Sequence, residues 1–328
     1  MRSMRFILWF VLGLGVVWGS YWFVGARIVR QDAEGWFADQ RAAGMVAETS
    51  SITVAGFADR FDTTLNDIHL ADPASGWGWS APFAQILAMT WKPWHLIAAL
   101  PHEQTIEVPD GQTVKLDSAR MMASLLMQPE LALTPVRLVI EGEALALTSD
   151  AGWTAGAETV VLAAENDSTR VNTVHLGADV KALTLPETLA HLPDMGSAIA
   201  LLHVDAGATL TEPLDWDTTD PKVLELTLRE AHLVWGPIDL VASGDLKAAA
   251  DGRAEGEIDL GLKGWRNLPA LVVALGLVPP QNQVTVERVL EFLSKTGKDP
   301  AVVNLPLIFK SGQMSLGPLP LGPAPRLN

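Results

Sequence analysis

Two periodicities divide the chain. Residues 6–26 run twenty-one positions without a charge, between Arg2 and Arg5 on one side and Arg27 and Arg30 on the other. As a helix rising ~1.5 Å per residue, that stretch spans about 31 Å, close to the hydrocarbon thickness of a bilayer. From residue 51 onward the period changes. Short runs alternate apolar and polar positions, as strands do when one face is dry and the other wet.

The first stretch predicts a membrane anchor over residues 1–30, with Phe6, Trp9, Trp18 and Trp22 among its apolar and interfacial side chains. Tryptophan rings settle at the headgroup level, and a helix in lipid satisfies its own backbone despite internal glycines. Arginine counts on the two flanks are equal, so the short leading tail and its free amino group orient the N-terminus to the cytoplasm. A cleaved signal peptide is the competing reading, with Val24 and Ala26 as small-residue positions, but the apolar stretch exceeds a usual core of about 7–15 residues. A polar helical continuation is expected over residues 31–45, ended near Gly44.

Strands are expected over residues 51–55 and 60–70, joined by a turn at Gly56-Phe57-Ala58. In the second strand Phe61, Thr63 and Leu65 keep one phase and Ile68 and Leu70 the other, which predicts a bulge at Asn66-Asp67. Residues 72–82, rich in glycine, tryptophan and proline, read as a loop. A strand resumes at 86–91, breaks at Pro93 and ends at Pro101. Further strands are expected at 105–108, 113–116 and 119–127, with a turn at Pro109-Asp110-Gly111. Residues 136–140 and 144–147 read as a hairpin across Glu141-Gly142-Glu143, and 153–165 fits strand and helix equally. Alternation returns over 169–185, a helical turn is expected at 186–192, a strand at 199–210 and an acidic loop at 215–221.

The last third has the clearest pattern: strands at 223–234, 238–242, 244–250 and 254–262, with a hairpin turn at Asp251-Gly252. Helices follow at 268–278 and 284–295, the second with Val286, Val289, Leu290 and Leu293 at helical spacing. A hairpin, 305–309 to 314–316, turns at Ser311-Gly312 before a proline-rich tail. The fold class this predicts is mainly β (a β-rich α+β): an N-terminal transmembrane helix, then a curved, mostly antiparallel sheet with a few short helices. Residues 31–328 form the exported β-rich domain. A faint echo between Leu176-Gly177…Leu185-Pro186 and Leu260-Gly261…Leu268-Pro269 allows two similar halves, about 46–193 and 199–328.

Charge narrows the function classes. All thirty-eight acidic side chains lie after residue 30, with nineteen of the twenty-three basic ones, so the body carries a formal −19. Such a surface repels phosphate backbones, which argues against nucleic acid as a partner. The chain has no cysteine, which removes disulfides, thiolate nucleophiles and cysteine-ligated metals together.

Four motifs resemble a known family: Gly56-Phe57-Ala58-Asp59-Arg60-Phe61-Asp62, the Gly76-Trp77-Gly78-Trp79-Ser80-Ala81-Pro82 segment, Trp91-Lys92-Pro93-Trp94-His95, and Gly312 to Pro320 near the end. In combination they are similar to a domain-of-unknown-function family, number 2125, of membrane-anchored proteins from Gram-negative bacteria. That family usually has proline after the first Gly-Phe, where this chain has Ala58. More distantly, the strand–glycine–strand texture resembles AsmA-like envelope proteins, inner-membrane-anchored and thought to handle lipids. The resemblance implies an envelope location and supplies no catalytic residues.

The residues themselves offer little chemistry. No two of His69, His95, His102, His175, His191, His203 and His232 stand three or four apart, and no HExxH occurs. No Gly-x-Ser-x-Gly elbow occurs, and Thr296-Gly297-Lys298-Asp299 lacks the rest of a phosphate loop. Asn166-Asp167-Ser168 fits a glycosylation triplet. The carboxylates Glu255, Glu257 and Asp259 alternate with Gly256, Ile258 and Leu260, as the wet face of a strand requires. Asp215 and Asp217 share an acidic loop with Trp216. Neither a metal nor a cofactor is expected.

These readings converge on an inner-membrane-anchored periplasmic protein that is not an enzyme. Its sheet would line an apolar groove for membrane lipid. The groove candidates are Phe61, Leu65, Trp77, Trp79, Trp91, Trp94, Met121 and Leu125 in the first half and Leu226, Leu228, Ile258 and Leu260 in the second. For Trp77, Trp79, Trp91 and Trp94, core packing, a membrane-facing ring and a ligand platform all compete. The alternative function is a structural or assembly factor of the envelope, with a filled sandwich core and an envelope protein as partner. A hydrolase built on a carboxylate pair ranks last.

Overall fold

A computed structural model describes residues 2–187, 195–216, 218–274, 276, 278–296, 301–317 and 319–327. The chain folds as two compact units, residues 1–133 with 146–152, and residues 134–145 with 153–328. This division falls around residues 134–153, upstream of 193–199, where the sequence echo separates two halves.

In the first unit the apolar leader and its polar continuation form one helix, α1 (Arg2–Ala42), 41 residues long. Residues 6–18 expose nearly every side chain, as a segment meant for lipid would. The later turns do not: Ala33 and Phe37 pack on Ala47, Ile52 and Ile68. The chain reverses at Gly44, whose φ of 91° suits a residue without a Cβ.

The strands β1 (Val46–Glu48) and β2 (Ser51–Ala55) both pair with β3 (Arg60–Asp72), and β3 pairs with β4 (Trp77–Met89). At one end β4 pairs with β5 (Lys92–Leu100), at the other with β6 (Glu103–Glu107). Outward from these lie β8 (Arg120–Met127) on β5 and β7 (Thr113–Asp117) on β6. The end of β9 (Pro135–Ser149) pairs with β7 from Ala146 to Ser149.

Three expectations need correction here. Residues 77–82 are strand and not loop, since Gly78, Trp79 and Ser80 pair with both Ala71, Leu70 and His69 and with Glu107, Ile106 and Thr105. Pairing on both edges overrides the turn-forming preference of Gly and Pro. The expected bulge is a change of phase without an inserted residue. Asn66 faces Phe83 and Ile68 faces Ala81 in unbroken register, so Asp67 (φ 48°) and Pro82 turn over together. Proline has no N–H to give the ladder there. The break after residue 91 falls at Thr90-Trp91, and Pro93 lies inside β5.

The second unit is a meander. Its part of β9 pairs with β10 (Thr154–Asn166), and β11 (Thr173–Thr184), β12 (Ala198–Leu210), β13 (Val223–Trp235), β14 (Ile238–Ala248), β15 (Ala254–Lys263) and β16 (Val302–Lys310) each pair antiparallel with the one before. The sheet ends with β17 (Gln313–Leu316) and β18 (Leu319–Pro323). The stretch 153–165, which fits helix and strand equally, is thus strand from Thr154 onward.

The hairpin expected across Glu141-Gly142-Glu143 is instead the middle of β9. Its two parts meet different partners, β10 and β7, so no turn is needed. Likewise the strands expected at 238–242 and 244–250 are one, β14, which ends at Ala248: Gly244 and Gly256 lie where a Cβ would sit on the carbonyl oxygens of Glu257 and Asp245. The proline-rich tail also pairs, as β18. The turn expected at 186–192 lies largely outside the described residues, as do His191, Asp217 and most of Thr296-Gly297-Lys298-Asp299.

Between β15 and β16 the chain leaves the sheet through two short 3₁₀ turns and the helices α2 (Leu268–Ala274) and α3 (Gln283–Thr296). The expected helix at 268–278 is therefore shorter. Leu271, Val286 and Leu290 close over Trp235, Ile238, Leu262, Val303 and Leu305. Beside this core, Ala324 in the tail covers Ala242, Leu246, Ile258 and Phe309.

Candidate functional site

The alternation read from β15 sorts its side chains as expected. Ala254, Ile258 and Leu262 are buried, whereas Glu255, Glu257 and Asp259 are exposed. Ladder registers carry that dry face across the second unit. Ile258 stands beside Gly244 and Leu307, Leu228 beside Ala206, Ala206 beside Leu176, and Leu176 beside Ala164. Leu226, Leu228 and Leu260 lie half-buried on it, against the cluster that the tail covers. Four groove candidates, Leu226, Leu228, Ile258 and Leu260, thus share one face and meet protein side chains there.

Toward β10 and β11 the cover is partial: Val174 is buried against Ala208 and Leu210, with Ala164 packed on them, but the leucines beside it are open. Leu162 and Leu176 remain 42% and 41% exposed, opposite Ala178 and Ala164. In β9, Arg137 pairs with Glu165 (3.6 Å) on the wet face, which turns Leu138, 39% exposed, to the dry one. These three leucines form the open part of an otherwise filled apolar face. The sequence reading did not single them out, although the alternation of β10 and β11 contains the signal.

In the first unit, Phe61, Leu65, Met121 and Leu125 also share one face. Phe61 stands beside Ala88, Ala88 beside Leu96, and Leu96 beside Leu125; Leu65 stands beside Ala84, and Leu100 beside Met121. Trp94 has the same strand parity. Phe61 is 5% exposed because Gly25 of α1 lies against it. Leu65 and Trp79 pack on the Phe37 cluster, and Trp79 Nε1 donates to Gln104 Oε1 (2.9 Å). Trp77 and Trp91 stay exposed at strand ends, outside any apolar enclosure.

A polar cleft of about 760 Å³ also opens in the first unit, lined among others by Asp67, His69, Glu103, Lys115 and Asp117. His69 Nε2 lies 3.5 Å from Glu107 Oε1. Among the described residues no three His, Asp or Glu side chains group as metal ligands.

The wet face of the second unit carries paired polar and charged side chains. His175 Nε2 lies 3.0 Å from Asp167 Oδ2, His203 Nδ1 3.1 Å from Asp179 Oδ1, and His232 Nε2 2.9 Å from Asp239 Oδ1. The Asp167 carboxylate accepts from the Thr169 hydroxyl (2.6 Å) and backbone N–H (2.7 Å), which hold it well below the usual carboxylate range. Arg229 Nε donates to Asp205 Oδ1 (2.8 Å), and that bond lowers the Asp205 carboxyl. The side chain of Asn166 donates to Pro135 O (2.7 Å), so the glycosylation triplet is engaged in the fold.

An apolar leader helix followed by an antiparallel sheet defines a β-rich protein of the kind a single helix would tether to a membrane. The chain belongs to the family of uncharacterized proteins conserved in bacteria (DUF2125), matched over residues 22–325. No curated protein and no solved structure matches it, so the likeness to AsmA-like proteins has no support from these comparisons.

Proposed function

We propose that the protein is anchored in the inner membrane with its body in the periplasm, and that it holds lipid on the open apolar face of its second unit without catalysing a reaction. The observation that carries this reading is the uncovered run of Leu138, Leu162 and Leu176 on a face that is filled elsewhere by α2, α3 and the tail. Contiguous exposed leucines on a sheet face mark an interaction site or an aggregation hazard. An acyl chain is a fitting occupant: burying about fourteen methylenes at ~0.8 kcal/mol each gives on the order of 11 kcal/mol before the costs of binding.

Native mass spectrometry and lipid extraction of the purified full chain test the proposal. Wild type is expected to carry phospholipid or fatty acid, and Leu176→Glu to carry several-fold less while keeping its unfolding transition. Equal lipid in both proteins, or none in either, removes the groove. Orientation is tested separately by a phosphatase reporter after Asn328, expected to be active and inconsistent with the proposal if silent while a cytoplasmic reporter fluoresces.

A further inference from the structure

We infer that the first unit makes a second membrane contact: the tips of the β2–β3 and β4–β5 turns, bearing Phe57, Met89 and Trp91, enter the headgroup and upper acyl layer beside α1. The inference rests on reading α1 as a membrane-spanning helix.

The apolar leader does not run free to its end. Trp18 Nε1 donates to Ala58 O (2.8 Å), Trp22 Nε1 to Arg60 O (2.7 Å) and the Tyr21 hydroxyl to Thr90 O (2.8 Å). Phe57 packs on Trp22 with ring centroids 5.3 Å apart and on Phe23 at 5.6 Å. Both turns thus bind residues 18–25, inside the uncharged stretch that ends at Ala26.

Length decides the depth. Only twelve uncharged residues, 6–17, precede the first contact. They rise about 18 Å, well short of the ~30 Å hydrocarbon core. A bilayer that ended at Trp18 would leave the helix short by about eight residues. The lipid must therefore reach the level of residues 18–25, and the attached turns are at that level too.

The turns are made for such a layer. Phe57, Met89 and Trp91 are 60%, 42% and 56% exposed at the tips, with Lys92 beside them for phosphates and Arg60 held by Asp62 (3.0 Å). Backbone groups in a water-poor zone need internal partners. The carbonyls of Ala58, Arg60 and Thr90 receive the three aromatic donors, and Asp59 O accepts from Thr90 N (3.0 Å). This gives Trp18, Tyr21 and Trp22 a role beyond an aromatic belt: they satisfy turns that water reaches poorly.

The absence of cysteine makes the test direct, because any introduced cysteine is unique. Full-length Leu14→Cys, Phe57→Cys, Trp91→Cys and Asp110→Cys proteins are labelled with an environment-sensitive fluorophore in phosphatidylethanolamine/phosphatidylglycerol vesicles. Asp110 lies in the β6–β7 turn; that turn is at the other end of β3, about 40 Å away at ~3.3 Å per residue. Labels at 14, 57 and 91 are expected to be quenched by nitroxide lipids and shielded several-fold from aqueous iodide relative to 110. Iodide access at 57 and 91 equal to 110, with 14 in lipid, overturns the turn contact alone. Iodide access at 14 as well overturns the anchor reading and this inference with it.

Discussion

At the scale of single residues, the contact between α1 and the first unit turns on one missing methyl group. A Cβ built on Gly25 would come within 2.6 Å of Phe61 Cζ, and Phe61 is buried. Overpacking of this kind costs roughly 1–3 kcal/mol. Gly25→Ala is therefore expected to lower the thermal midpoint in detergent, and Gly25→Ala with Phe61→Leu to recover part of the loss; equal destabilisation in both would mean the two positions do not couple. A second residue, Asp239, predicts a pH dependence. Lys263 Nζ donates to its Oδ2 (3.0 Å), and this bond first, then His232, lowers its carboxyl from 3.8. A carboxyl more acidic in the fold than in the unfolded chain stabilises fully above that ordinary value and ceases to as pH falls through the lowered one. The pair is surface-exposed, worth at most about 1 kcal/mol. Urea midpoints measured at pH 7 and pH 3 should fall slightly more for wild type than for Asp239→Asn.

At the scale of elements, α3 is the piece whose packing is most concentrated. Leu290 is 1% exposed and Val286 6%, one turn apart on the face toward β16. Leu290→Ala should cost about 2–5 kcal/mol, read as a lower urea midpoint; a loss under about 0.5 kcal/mol would show that α3 contributes little to the core. That helix was legible in the sequence, because Val286, Val289, Leu290 and Leu293 keep helical spacing. So were β13 and β15, within one residue at their ends: β15 alternates without a break, and β13 keeps its strand character through a register shift between Leu228 and Ala231. The elements that were not legible depend on distant partners. Residues 77–82 look like a loop until β3 and β6 pair with them, and Gly142 looks like a turn until β9 is seen to serve two different neighbours. The candidate site divides the same way. Alternation placed Leu226, Leu228, Ile258 and Leu260 on one face, but nothing local in Leu162 or Leu176 says that α2, α3 and the tail stop short of them.

At the scale of the whole molecule, the balance between covered and open apolar face is set by the last residues of the chain. Ala254 N donates to Pro325 O (2.8 Å), Leu327 N to Gly252 O (2.9 Å) and Arg253 Nη1 to Ala324 O (2.9 Å). These bonds pin the tail at the β14–β15 turn, and Ala324, 2% exposed, closes over Ile258 and Phe309. The pinning is specific, whereas the surface beneath it is generic: alanines, leucines, one isoleucine and one phenylalanine that an acyl chain would cover as well. Ending the chain after Pro323 removes the cover and leaves β18 in place. If the dry face is one continuous lipid surface, the shortened protein should bind more of an apolar dye and carry more lipid per chain in native mass spectrometry than the full chain, with a lower unfolding midpoint once lipid is stripped. A midpoint that falls without any gain in dye or lipid would mean that the tail completes a closed core, and that only the leucines of β9 to β11 remain available to a ligand. Unchanged dye, lipid and midpoint together would mean that Ala324 adds nothing to the burial of Ile258, against the packing described above.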